Sequence, residues 1–245
     1  SKGTSKKIAM INAVGTIVRG DENDDGGLFN TSVGVRSGVM AKAVREAFED
    51  DEIAAILIRV DSPGGSYVAS DTIWREIVKA KDRKKPVIVS MGNVAASGGY
   101  FIAMPADRIF AQPATITGSI GVIVQTVNVS KGLSMIGITS RSVVSGQNKD
   151  MANPLEPVEE RHFAVLQELV DGSYARFKDL VVERRPGLNP TNLDMATDGR
   201  IFSGEAAHKL GLIDGLGGVR EAHAAAKSLA GIEAAQLVRY VTGGE

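Results

Sequence analysis

The chain of 245 residues has no cysteine. Disulfides, thiolate nucleophiles and cysteine-ligated metals are therefore excluded, and the redox compartment stays open. Histidine is scarce: His162, His208 and His223 are scattered through late segments and suggest no zinc site. An excess of one charge is lacking as well. The chain has 28 basic and 29 acidic residues, a net charge of −1 and no basic stripe, so nothing argues for a nucleic-acid partner. No apolar run reaches the ~18–20 residues of a membrane span; residues 8–18 come nearest and are too short and too interrupted. No signal peptide is visible. What remains, 43% hydrophobic and 23% charged residues, is the composition of an ordinary globular protein with a sizeable core, in one large domain or two small ones.

Residues 1–7 form a polar, basic tail, and 8–18 read as a buried strand bent at Gly15. Asp21-Glu22-Asn23-Asp24-Asp25-Gly26 resembles the front of a calcium loop. The twelfth position is Ser32 rather than Glu, so a solvated surface loop is expected. Ser37 is placed to cap a helix to about Asp50, with Val39, Met40, Ala43, Val44, Ala47 and Phe48 on one face. Residues 54–61 form the most strand-like segment, apolar enough to be buried on both faces of a parallel sheet. It ends in Ser62-Pro63-Gly64-Gly65, a turn whose N–H groups can face a ligand or simply lead into the next helix. That helix spans 68–80 with Trp74 packed, and a basic loop, 81–85, comes after it.

A strand at 86–91 leads through Gly92-Asn93-Val94-Ala95-Ala96 to Ser97-Gly98-Gly99-Tyr100. A strand, a small-residue turn and a helix would set Ser97 at a helix N-terminus, beside the N–H of Gly98. The pattern departs from the G-x-S-x-G elbow, because Ala95 stands where the first glycine should be. The residue is equally readable as a small serine in a crowded contact. Short strands are expected at 107–111 and 138–144, the latter running into Ser145-Gly146-Gln147-Asn148-Lys149-Asp150. A long amphipathic helix should cover 156–183, burying Phe163, Leu166, Leu169, Val170 and Phe177, with Pro186 ending it. Short helices at 203–210 and 219–230 and a strand at 236–241 complete a mainly helical C-terminal part, 156–235. Strands alternating with helices argue for one α/β domain over 1–245 with a largely parallel sheet.

A serine hydroxyl needs a neighbour to take its proton. All three histidines fall on helical faces that read as exposed. A lysine can serve instead if burial keeps it neutral, but periodicity singles none out. Lys149 stands at the end of an expected strand and is also readable as a surface residue.

Asp61-Ser62-Pro63-Gly64-Gly65, Ala95-Ala96-Ser97-Gly98-Gly99-Tyr100, Thr117-Gly118-Ser119-Ile120-Gly121-Val122 and Ser145-Gly146-Gln147-Asn148-Lys149-Asp150, in that order, resemble the signal peptide peptidase A family of serine peptidases. Gly199-Arg200-Ile201-Phe202-Ser203-Gly204 and Gly211-Leu212-Ile213-Asp214 resemble its C-terminal signature. The resemblance implies a ClpP/crotonase-like spiral of β-β-α units in a single peptidase domain. By the same resemblance Ser97 is the nucleophile and Lys149 its general base. Ser119 helps hold the lysine, and Gly65 and Gly98 supply the oxyanion-hole N–H groups. Serine and lysine in one chain match the family's short form; in the excised second half of a double-length member Lys149 would be a bystander. The implied substrates are hydrophobic peptides such as remnant signal peptides, hydrolysed through an acyl-enzyme without metal or cofactor. A homo-oligomer is implied too, with a membrane anchor outside this chain and a soluble catalytic domain. Two rivals stay open: a crotonase-type acyl-CoA enzyme, and an inactive oligomeric peptidase-like scaffold.

Overall fold

The computed structural model describes residues 6–21, 34–81 and 85–240. They form two compact units, one of the described residues up to Gly121 and from Lys178 onward, the other of Val122–Phe177. The first unit is built on a sheet whose central order is β10-β1-β4-β5-β6-β9. Its strands are β1 (Lys7–Val14), β4 (Ile53–Ser62), β5 (Val87–Ala96), β6 (Arg108–Ala111), β9 (Gly215–Leu216) and β10 (Gln236–Tyr240). Every neighbouring pair on that path is parallel. Strand β7 (Ile116–Gly118) joins the far end of β5, and β8 (Ile201–Ser203) pairs antiparallel with β7. A small parallel pair, β2 (Thr16–Val18) with β3 (Gly34–Arg36), lies just past the bend at Gly15.

Side chains alternate across a strand, and here both faces are apolar, as the unbroken hydrophobic runs required. Ile8, Ala55, Leu57 and Ile88 pack with Ala222 and Ala226 of helix α8 (Val219–Leu229). The alternate residues Ile56, Ile58, Val60, Val87, Val89 and Met91 are fully buried on the opposite face. Helices α1 (Ser37–Glu49), α2 (Tyr67–Lys81) and α3 (Gly98–Ala103) cover that side. Each such side chain contributes about 1.5–3 kcal/mol on burial. The six residues expected on the inner face of α1 are all buried, and Trp74 packs edge-on to Phe101. The α/β reading with a parallel-rich sheet therefore stands.

Several local expectations are corrected. Ser37 does not cap α1: it is the first helical residue and buried, and Arg36 holds the cap position without a side-chain bond. Lys7 belongs to β1, not to a tail, and pairs with Glu52. Lys85 is not simply solvated, because its Nζ donates to the Asp50 and Ala47 carbonyls at the end of α1. The calcium-like loop lies outside the described residues except for Asp21, as does the middle of the basic loop.

The second unit contains α4 (Ser130–Met135) and, up to Phe177, most of α5 (Glu160–Arg184). The strand expected over 138–144 is absent: these residues are irregular, with Val143 98% and Ile138 51% exposed. A β-branched run makes a strand only when a partner strand accepts its backbone bonds, and among the described residues none pairs with this one. Helix α5 begins later than expected, and its stripe is incomplete. Phe177 is buried, but Phe163 and Leu169 are exposed by 45% and 59%. Three short elements come next in the first unit: a 3₁₀ turn (Pro190–Asn192), α6 (Leu193–Ala196) and α7 (Gly204–Leu210), the last capped by the Ser203 side chain on the Ala206 N–H. Among the described residues no helix is long and apolar enough to cross a membrane.

Candidate active site

The expected small-residue turn before Ser97 is instead the end of β5, which continues through Ala96. It continues with a fault. Val60 pairs with Met91 but Ser62 with Ala95, so β5 carries two more residues than β4 over the same span. The Asp61 carboxylate fills this bulge, accepting the Val94 N–H at 3.1 Å and the Asn93 side chain at 3.4 Å. Only glycine fits at position 92, because a Cβ there would lie 2.6 Å from that carboxylate. Past the bulge the strand exchanges β6 for β7 as its neighbour. Buried Thr115 and Thr117 donate their hydroxyls to the Gly92 and Ala95 carbonyls, each at 2.7 Å. A bulge bends a strand and re-aims the residues beyond it. The re-aimed end of β5 delivers Ser97.

Ser97 has φ 52° and ψ −118°, a conformation that costs a non-glycine residue about 1–3 kcal/mol and persists only where neighbours enforce it. They do so here. The Ser97 N–H donates to the Gly118 carbonyl at 2.9 Å, its carbonyl accepts from the Phe101 N–H at 2.9 Å, and the side chain caps nothing. The hydroxyl is thus presented rather than consumed, at the start of α3 as expected.

The Pro63-Gly64-Gly65 turn closes against this corner. A Cβ on Gly64, whose φ is +104°, would sit 2.7 Å from the Gly98 nitrogen and 2.9 Å from the Ser97 Cβ. One on Gly98 would lie 2.6 Å from the Ser70 hydroxyl and 3.3 Å from the Gly65 nitrogen. The N–H groups of Gly65 and Gly98 are therefore neighbours beside Ser97, and among the described residues neither has a backbone acceptor. Two open N–H groups next to a presented hydroxyl can stabilise an oxyanion formed by attack of that hydroxyl. Ser62 supports the turn from within, its buried hydroxyl accepting the Gly64 N–H at 3.1 Å.

Ser119 lies one residue beyond the Gly118 carbonyl that holds Ser97. It too has positive φ, 49°, and its N–H donates to the Arg200 carbonyl at 2.8 Å. The segment Gly199–Gly204 supplies this support as β8, and Phe202 packs on Gly118 so closely that a Cβ there would be 2.7 Å from its ring. The Gly211–Asp214 segment is also structural. Tyr100 of α3, fully buried, donates its hydroxyl to the Leu212 carbonyl at 2.8 Å, and burial pushes that hydroxyl's pKa upward. Asp214 accepts the Ile109 N–H at 2.8 Å and an Arg185 Nη1 at 3.1 Å, joining this loop to β6 and the end of α5.

Ser97, Gly65, Gly98 and Ser119 thus belong to the first unit. Lys149 belongs to the second, where it is exposed, in two successive turns rather than at a strand end. Its N–H donates to the Gly146 carbonyl at 3.0 Å, and the Asn153 N–H donates to that of Asp150 at 3.0 Å. The non-glycine residues with positive φ among those described are Ser97, Ser119 and Ala152, the last in the turn just after Lys149. Backbone strain collects where the motifs are.

The histidines divide. His208 is exposed and His223 half-buried, its pKa lowered by burial and then by Lys227. His162, expected to be exposed, is 3% exposed and faces Gln147 and Asp150. Sequence reasoning missed it, and missed the bulge-filling role of Asp61. For Asp61 a signal was available, an acid closing an apolar strand immediately before the turn.

The fold and this corner define an α/β protein with a serine held at a strained strand-to-helix junction beside two open N–H groups. The chain belongs to peptidase family S49, a family of serine peptidases, whose family model matches residues 79–233. It is 38% identical to Protease 4 of Salmonella typhi over 97% of this chain and 37% of that protein. It is 35% identical to the protease slr0021 of Synechocystis over 99% of this chain and 85% of that one. The chain thus spans little more than a third of one relative and most of the other. Two solved structures of the 1510-N membrane-bound stomatin-specific protease share the fold. A serine-to-alanine variant gives a TM-score of 0.56 at 18% identity, covering 97% of this chain and 98% of that one. A lysine-to-alanine variant in complex with a substrate peptide gives 0.51 at 21%, covering 87% and 76%.

Proposed function

We propose that the protein is a serine endopeptidase that works through a Ser97–Lys149 dyad and an acyl-enzyme. The observation that carries this reading is the Ser97 corner: a hydroxyl presented on strained backbone, next to the open N–H groups of Gly65 and Gly98. Neutral Lys149 takes the Ser97 proton as the hydroxyl oxygen attacks a peptide carbonyl. The oxyanion is met by the two N–H groups, each contributing about 3–4 kcal/mol in comparable sites. The lysine ammonium then protonates the leaving amine, and a water deprotonated by the lysine hydrolyses the ester. Ser119 orients the lysine. Because Lys149 is exposed on its own unit, the desolvation that keeps a lysine neutral must come from what covers it at work, with a neighbouring copy of the chain the proposed cover. This favours a homo-oligomer. Hydrophobic peptides such as remnant signal peptides are the proposed substrates, the spiral of β-β-α units in a single peptidase domain the proposed architecture, and a membrane anchor outside this chain the proposed location.

The test is hydrolysis of a hydrophobic fluorogenic peptide between pH 6 and 10, together with fluorophosphonate labelling. Ser97→Ala should abolish both, and Lys149→Ala should lower turnover by about 10³-fold or more. The wild-type rate should rise along a basic limb as the lysine deprotonates. An acyl-CoA enzyme or an inert scaffold would take no label. Full activity in Lys149→Ala would exclude the dyad.

A further inference from the structure

The mechanism leaves one buried titratable side chain of the second unit without a task. His162 sits in the first turn of α5 with only 3% of its surface exposed. Its Nε2 lies 3.3 Å from the Gln147 carbonyl and 3.7 Å from an Asp150 carboxylate oxygen. Both neighbours are acceptors, so Nε2 carries a hydrogen, which the carbonyl receives while the carboxylate stands behind it. Burying an imidazole without partners is costly, and these contacts are what the burial secures. The two contacted residues flank Lys149. Gln147 is the second residue of the turn closed by the Lys149 N–H on Gly146, and Asp150 is the first of the turn closed by the Asn153 N–H. One ring therefore hydrogen-bonds the first turn and sets its Nε2 3.7 Å from the buried Asp150 oxygen that heads the second, which has no hydrogen-bond partner among the described residues, and it touches neither turn at the lysine itself. Elsewhere the segment is poorly held: residues 143–149 are all exposed.

We propose that His162 is a positioning residue for Lys149, fixing the double turn so that the lysine backbone has one setting. The proposal rests on the reading of Lys149 as base. A displacement of about 1 Å in such a group costs on the order of 10²-fold in rate, so loosening the staple should act on turnover rather than on peptide binding.

Three variants of the full chain, His162→Phe, His162→Gln and Lys149→Ala, test it with two readouts. The first is amide hydrogen exchange at Lys149 and Asn153; the second is kcat and KM on the fluorogenic peptide. His162→Phe keeps the ring volume and removes the donor. It should speed exchange at both amides about tenfold and lower kcat about tenfold or more, with KM changed less than about twofold and fluorophosphonate-accessible Ser97 still present. His162→Gln keeps a donor and should recover most of the loss. Should Phe prevent folding, the flexible His162→Met replaces it with the same expectations. Unchanged exchange in His162→Phe overturns the staple. Faster exchange with unchanged kcat overturns the positioning role while the dyad survives. Full activity in Lys149→Ala overturns the dyad and this proposal together, which separates the two failures.

Discussion

The turn that carries Ser97 is closely walled: Gly64 and Gly98 in close approach, the Gly118 carbonyl on the serine N–H, and the Asp61 carboxylate filling the bulge that leads into it. The turn that carries Lys149 rests on three short-range backbone bonds, Lys149 to Gly146, Met151 to Asn148 and Asn153 to Asp150, and a single imidazole. The first stores strain, and a dense surround is what makes strain tenable. The second holds a long, flexible side chain whose chemistry depends on solvation, which a covering surface can change and a rigid wall cannot. A nucleophile needs a fixed vector; a lysine base needs a controllable environment. Substitutions in the first turn should therefore damage fold and activity together, whereas those in the second should separate them.

The sharpest test of that contrast pairs Gly65→Ala with Lys149→Ala. A Cβ on Gly65, at φ +150°, would lie 2.1 Å from the Ile17 carbonyl oxygen, a rigid backbone atom. The expected cost is more than about 3 kcal/mol in urea denaturation, with loss of peptidase activity. Lys149→Ala should leave stability within about 0.5 kcal/mol while removing turnover. Equal stability losses would erase the distinction.

A smaller effect is expected from Tyr100→Phe, which leaves the Leu212 carbonyl without its buried donor at the back of α3. It should cost about 1–2 kcal/mol by denaturant titration. Fluorophosphonate labelling of Ser97 should slow by less than about twofold if the backbone walls alone aim the serine.

The smallest effect concerns the edge strand. The Tyr240 hydroxyl, with the Glu52 N–H, holds the Asp50 carboxyl below its ordinary pKa. A folded-state pKa below the unfolded one stabilises at pH above the unfolded value and is lost as pH falls through the folded one. Thermal melts should therefore show wild type slightly above Tyr240→Phe at pH 7 and the difference narrowing as pH falls below the ordinary aspartate range. A gap that persisted in acid would place the contribution of Tyr240 in packing rather than in this bond.

The parallel sheet was legible because residues 53–58 of β4 and 87–89 of β5 are apolar without interruption, and α1 because its six inner residues keep helical period. The Ser97 corner was legible as a motif but not as a geometry. Nothing local in Gly92-Asn93-Val94 announces a two-residue bulge, which exists because Asp61 of the neighbouring strand occupies it. Residues 138–144 misled for the same reason in reverse, being rich in β-branched residues but paired with no strand among the described residues. His162 was misread because the polar face of a helix and the buried face of a sparse helix look alike until the turn it covers is in place.

By itself the sequence determined the family, the α/β class and the residues worth testing, since motifs and periodicity are local properties carried by side-chain type and spacing. Tertiary structure alone decided that Ser97 is strained and presented, that the N–H groups of Gly65 and Gly98 are neighbours beside it, and that His162 is buried against the lysine turn. Those are relations between segments far apart in the chain, set by which backbone closes against which.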